Sequence, residues 1–272
     1  MKKIGIACSI LWLAFSGAAL ADANDDFRVL LDEHWQWTLK NSPVMASMMG
    51  DRRYNREWGD NTLSAIEDRH NETREFLRRV YAIDRDALSE DDQLNYELFR
   101  RQLQDEVDEH QFNGHLVPFS QRGGVQSLDN LTNQLRLVTV EDYDDWLARL
   151  GKLDEVIDQT IDLAEAGRKS GMTAPRILMQ RIPDQIAVQV VEFAADSPFF
   201  KPFASLPETM AASDRERLRA AATEVIEETV LPAYRKLDRY FNETYLPAAR
   251  ESIGLSELPN GSAWYELRAR SY

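Results

Sequence analysis

Apolar residues recur at helical spacing along almost the whole chain, and strand-like alternation is nearly absent. That pattern restricts the fold to a packing of helices. From Asp25 the stripe runs Phe27, Leu30, Leu31, Trp35, Thr38 and Leu39, and Pro43 ends it. Ser64-x-x-Glu67 has the form of a capping box, and Ile66, Thr73, Phe76, Leu77 and Val80 extend a face beyond it. Ser89-Glu90-Asp91-Asp92 starts a third helix carrying Leu94, Leu98, Leu103 and Val107; acids in a first turn suit the helix dipole.

Thr139-x-x-Asp142 opens the most regular stripe. Tyr143, Trp146, Leu147, Leu150, Leu153, Ile157, Ile161 and Ala164 continue it until Gly167 and Gly171. Thr173 is placed to cap the next helix, with Pro175 near its first turn, and Pro183 divides it. Ser213-x-x-Glu216 leads into Leu218, Ala221, Ala222, Val225, Ile226 and Val230. Pro232 and Pro247 break the remainder into segments 233–245 and 248–253, which Gly254 stops. Three pieces escape the pattern. His115–Phe119 reads as extended, Ser197–Phe203 as an aromatic loop, and Leu258-Pro259-Asn260-Gly261 as a turn. No repeat, linker or composition shift divides the chain. The expectation is an all-α, multi-helix array of about eight to ten helices, forming one domain over residues 22–272.

Residues 1–21 read as an address. Met1-Lys2-Lys3 is cationic, 4–15 is apolar, and the stretch ends in Ala19-Leu20-Ala21, the pattern of a secretory signal peptide. Twelve apolar residues are too few to span a bilayer, which takes about 20. Export to the periplasm or medium is therefore expected. Cys8, the single cysteine, lies inside this segment, so the remaining chain carries neither disulfide nor thiol nucleophile. The formal charge of −14 argues against nucleic acid and against an anionic membrane surface. With 43% hydrophobic residues the chain can build a core unaided. Oligomeric state leaves no signature.

Chemical motifs are mostly missing. There is no H-E-x-x-H, no G-x-S-x-G and no phosphate-binding glycine loop. His110 and His115 are five residues apart with Asn113-Gly114 between them, a poor metal pair. Asp91-Asp92 and Glu141-Asp142-x-Asp144-Asp145 read as solvated helix starts, and Trp35, Trp37, Met45, Met48 and Met49 as core. Pro118-Phe119-Ser120-Gln121-Arg122-Gly123-Gly124 stands apart. It interrupts a helical chain with extended, glycine-bearing backbone, the kind of segment that lines a ligand cleft.

Several stretches, taken in order, resemble the bacterial DUF 885 family of exported proteins. They are Pro43 with Met49-Gly50-Asp51-Arg52-Arg53-Tyr54; Leu88-Ser89-x-x-Asp92 with Tyr96; Pro118-Phe119-x-Gln121 with Gly124-Val125; and Ser197-Pro198-Phe199. Further on come Leu231-Pro232-Ala233-Tyr234, Tyr245-Leu246-Pro247-x-Ala249-Arg250, Gly254-Leu255, and Leu258-Pro259-x-Gly261 with Trp264-Tyr265. The resemblance implies a helical, zinc-metallopeptidase-like fold of about twice this length, with an H-E-x-x-H-like metal helix in its C-terminal half. On that reading this chain is the N-terminal, cleft-forming half. Its partner would be a peptide substrate once completed. No catalytic or metal residue, and no cofactor, falls within it, zinc belonging to a full-length relative. The cleft candidates are Gln121, Arg122, Gly123 and Gly124, with Arg270 and Tyr272 at the far end. The competing readings are a non-catalytic periplasmic helical binding or adaptor module, and a remnant without function.

Overall fold

The computed structural model describes residues 13–270, so most of residues 1–21, Cys8 among them, and Tyr272 lie outside the described residues. The described chain is a multi-helix array. The helices are α1 (Leu13–Asn41), α2 (Pro43–Met48), α3 (Leu63–Tyr81), α4 (Glu90–His110), α5 (Val140–Leu150), α6 (Leu153–Ser170), α7 (Arg176–Met179), α8 (Ile182–Ala187), α9 (Lys201–Ala204), α10 (Ala212–Val225), α11 (Leu231–Tyr240), α12 (Leu246–Ala248) and α13 (Gly261–Arg270). Pairing outside the helices is limited, among the described residues, to two isolated bridges, Ser120 with Gly123 and Pro175 with Arg250. No described helix is long and apolar enough to cross a membrane.

The chain gathers into two compact units. One comprises the residues up to Thr38 with Asp68–Asp108; the other comprises Leu39–Glu67 with the residues from Glu109 onward. The boundaries fall inside helices, so no linker or composition change announces them.

The core of the first unit is Phe27, Leu30, Phe76, Leu77, Val80, Leu88, Tyr96, Phe99 and Leu103. Phe27 meets Tyr96 and Phe99 at centroid distances of 5.9 and 6.5 Å, and His34 packs edge-on against Phe76 and Phe99. Two expected faces turn out differently. On α4 the inward row is Asp92, Tyr96, Phe99 and Leu103, which leaves Leu94 and Leu98 exposed. Asp92 is drawn in because it accepts from Arg28 at 3.1 Å and from the Ser89 hydroxyl at 3.1 Å. On α1 Trp37 packs against the core, while Trp35 is exposed. Met48 and Met49 are likewise exposed rather than core.

The second unit holds the larger core, centred on Trp146, Leu150, Ile157, Phe199, Phe203, Tyr234, Phe241 and Tyr245. The Thr139–Asp142 capping box forms as the spacing predicts. The helix it opens does not run on, because the chain breaks at Gly151-Lys152 and α6 starts afresh at Leu153. Gly171, at φ +77, ends α6. Gly167 lies within α6 instead of ending it; glycine is required there because a Cβ would overlap the Leu116 carbonyl. Pro183 does separate α7 from α8.

Other local signals fail. The α3 cap is the Thr62 hydroxyl, which accepts the Ala65 amide at 3.2 Å, and Ser64 lies within the helix. Neither Ser213 nor Thr173 caps a helix; α10 begins after Ala211 and α7 after Pro175, neither with a side-chain cap. Pro232 and Pro247 do not break the rod. Each follows a π-helical turn, at Ile226–Val230 and Phe241–Tyr245, whose extra residue lets the chain pass a ring that has no N–H to give. Residues 249–254 leave the helix altogether, and Arg250 pairs with Pro175 instead. In the aromatic loop Phe199 and Phe203 are fully buried on two short helical turns.

Candidate functional site

The glycine-bearing segment builds a tight turn. Ser120 pairs with Gly123, whose amide donates to the Ser120 carbonyl at 3.3 Å. Gly123 and Gly124 hold φ of +147° and +143°, values an L side chain rarely adopts. A Cβ on Gly124 would also press on the Gln126 side chain at 3.0 Å. Two carboxamides pin the turn from behind. Gln126 Nε2 donates to the Ser120 carbonyl at 2.8 Å, and Gln185 Nε2 donates to the Gln121 carbonyl at 3.2 Å. Beneath it, the buried Tyr234 hydroxyl donates to the Val125 carbonyl at 2.7 Å.

In front of the turn lies an open groove of about 380 Å³. One side is the segment Val117–Arg122. The other is the extended strip Thr173–Pro175 with Arg250, whose carbonyl accepts the Arg176 amide at 2.7 Å. Leu178, Met179, Leu258 and Trp264 supply apolar wall. Arg250 anchors the strip by donating from Nε to the Thr173 carbonyl at 2.9 Å, and from Nη1 to the carbonyls of Ser252 and Gly254. Burial holds its pKa below the usual arginine value. Trp264 stacks on Phe112 and donates from Nε1 to Glu109 at 3.1 Å.

The sequence candidates divide accordingly. Gln121 and Arg122 line the groove, while Gly123 and Gly124 shape the turn without lining it. Arg270 ends α13 and donates from Nε to the Glu266 carbonyl at 3.3 Å, away from the groove wall. Tyr272 lies outside the described residues.

A second cavity, of about 230 Å³, has no counterpart in the sequence reading. Asp142 and Asp145, read from sequence as solvated acids, are buried beside it. Arg52 pairs with both carboxylates, and Arg56 Nε reaches Asp145 Oδ1 at 2.7 Å. Burial alone would raise the Asp142 carboxyl. The Thr139 amide, the Arg52 guanidinium, the Thr139 hydroxyl and the Val138 amide together outweigh it and hold the pKa down to about 2. Arg149, 1% exposed, lies at the same place, its Nη2 donating to Ser47 Oγ and to the Tyr54 carbonyl at 2.8 Å each. The available signal was an arginine inside the apolar stripe, between Trp146 and Leu150.

No group of three or more His, Cys, Asp or Glu among the described residues could hold a metal ion. His110 and His115 stack at 5.6 Å, and His110 Nε2 lies 3.1 Å from Glu67 Oε2. Burial, then the neighbouring His110, keeps His115 below the ordinary histidine pKa. Among the described residues no ligand set for the zinc implied by the resemblance is present.

Among solved structures the chain is similar to "the putative lipoprotein from Colwellia psychrerythraea", with a TM-score of 0.74 at 16% identity. The match covers 93% of this chain and 45% of that one, so the chain spans less than half the length of that protein. At this identity the likeness is one of fold. No curated protein matches the chain in sequence. The family model described as "Bacterial protein of unknown function (DUF885)" matches residues 43–272. The chain therefore belongs to the DUF885 family.

Proposed function

We propose that this chain is the N-terminal, cleft-forming portion of an exported zinc-metallopeptidase-like protein, and that it holds peptide substrates in extended form. The observation that carries the reading is the groove flanked by non-helical backbone, the irregular stretch 117–120 with its turn at 121–122 on one side and the extended strip 173–175 with Arg250 on the other. An extended peptide suits such a site, because its main-chain groups can bond to the flanking backbone while alternate side chains seek apolar wall. Gln121 and Arg122 supply polar contacts at the rim, and Leu178 and Met179 an apolar surface. Hydrolysis would need a metal-activated water held by residues outside this chain. What these residues contribute is binding and alignment of the scissile segment. Export rests on the charged, apolar and small-residue order of 1–21.

Fluorescence anisotropy with fluorescein-labelled tryptic peptides of casein tests the groove. Saturable binding is expected, weakened about tenfold by Leu178→Glu at a position 37% exposed, and weakened also by Gln121→Ala. Absence of saturable binding, or binding that neither substitution alters, overturns the assignment. Hydrolysis of the same peptides by this chain, arrested by a chelator, would show that the chemistry resides here and not in another part of the protein.

A further inference from the structure

The groove beside the glycine turn carries a charge opposite to that of the chain. Acidic residues outnumber basic ones by 46 to 32 in the sequence. Yet the described residues that line the groove include two arginines, Arg122 and Arg250, and neither aspartate nor glutamate. The two cations differ in what is left of them. Arg250 spends Nε and Nη1 on the carbonyls of Thr173, Ser252 and Gly254, and the Glu257 carboxylate acts on it from nearby. Glu251, its neighbour in sequence, is taken by Arg176 at 2.7 Å. Arg250 is therefore a tie within the strip, with its charge offset. Arg122 is exposed, and its guanidinium forms no hydrogen bond or ion pair among the described residues. Its donor fork is unspent, and it is the cation that Glu257 and Glu251 leave unbalanced at the groove.

The backbone that carries Arg122 is held from several sides. Its amide donates to Ser120 Oγ at 3.2 Å, the carbonyl before it accepts from Gln185 Nε2, and the two glycines after it hold positive φ. The turn thus fixes where this side chain leaves the backbone, beside a wall to which Leu178 and Met179 contribute. We infer that Arg122 is the specificity-determining residue of the groove, and that it selects peptides bearing a carboxylate next to apolar residues. The inference rests on the peptide groove proposed above and adds the charge of what the groove accepts. A guanidinium fork meets a carboxylate in planar, bidentate geometry. One unpaired arginine matches one negative charge, whereas phosphorylated motifs are met by clusters of arginines. The net charge of −14 does not forbid an acidic ligand, because charges beyond about 8 Å are largely screened at physiological salt and the local cation decides. The carboxylate can come from an acidic side chain or from the end of the peptide.

Fluorescence anisotropy with short peptides, labelled at the N-terminus with an uncharged dye, tests this on the full chain. The probes are the C-terminal amides LVELV, LVQLV and LVKLV, and LVQLV with a free C-terminus. The LVELV amide should bind about threefold to fivefold more tightly than the LVQLV amide at about 10 mM salt, the range of an exposed ion pair, and the advantage should fade toward about 1 M. A similar gain for LVQLV with its free C-terminus supports the inference and shows that a terminal carboxylate serves as well. Arg122→Gln should erase the gain of every carboxylate peptide over the LVQLV amide. Arg122→Glu should make LVKLV the preferred amide. Equal binding of carboxylate and amide peptides, or a gain that survives Arg122→Gln, overturns the inference and leaves the peptide groove standing. Failure of all four probes to bind overturns both.

Discussion

Asp142 shows how much one side chain can carry. Its carboxylate closes the capping box of α5, accepts the amides of Val138 and Thr139, and pairs with Arg52. A carboxyl titrating near 3.8 when unfolded and at about 2 when folded contributes about 2 kcal/mol at neutral pH. The folded value is the lower one, so this contribution is fully present above pH ~4 and is lost as pH falls toward 2. Asp142→Asn should lower stability by about 2 kcal/mol at pH 7 and flatten the stability curve between pH 4 and 2. Urea denaturation across that range measures both effects, and an unchanged slope would refute the account. From sequence Asp142 was legible as a helix cap. Its burial was not, because the arginines that permit it come from a segment about ninety residues earlier.

At the scale of elements, capping signals divide into those that packing uses and those it bypasses. Thr139→Ala and Thr62→Ala should each cost about 1 kcal/mol, because each hydroxyl accepts an amide of its helix's first turn. Ser64→Ala and Ser213→Ala should stay within about 0.5 kcal/mol, since neither side chain caps a helix. The same denaturation assay compares all four. The spacing S-x-x-E is identical at Ser64 and Ser213, so sequence alone could not separate them from a working box. What decides is where the flanking apolar residues must sit to reach the core. The prolines follow the same logic. Pro232 and Pro247 look like breakers locally, yet buried neighbours, Val230 and Tyr234 on either side of Pro232 and Phe241 and Tyr245 ahead of Pro247, keep the rod helical through π turns.

At the scale of the molecule, the second unit's core is larger than the first's. Native-state hydrogen exchange should therefore find its slowest amides in α10 and α11, packed around Ile226, Tyr234 and Leu237, not in α4. Slower exchange in α4 would contradict this. The sequence by itself determined the helical class, the main inward residues of α1, α3 and α10, and the glycine-bearing interruption at 118–124. Each of these is a local property: a period of 3.6, or a pair of glycines free to adopt positive φ. Tertiary structure decided the split of the chain into two units, the rotation of α4 about its axis, the break at Gly151 and the burial of Arg149 beside a cavity. These depend on which distant segments meet, and no spacing within a single helix encodes that.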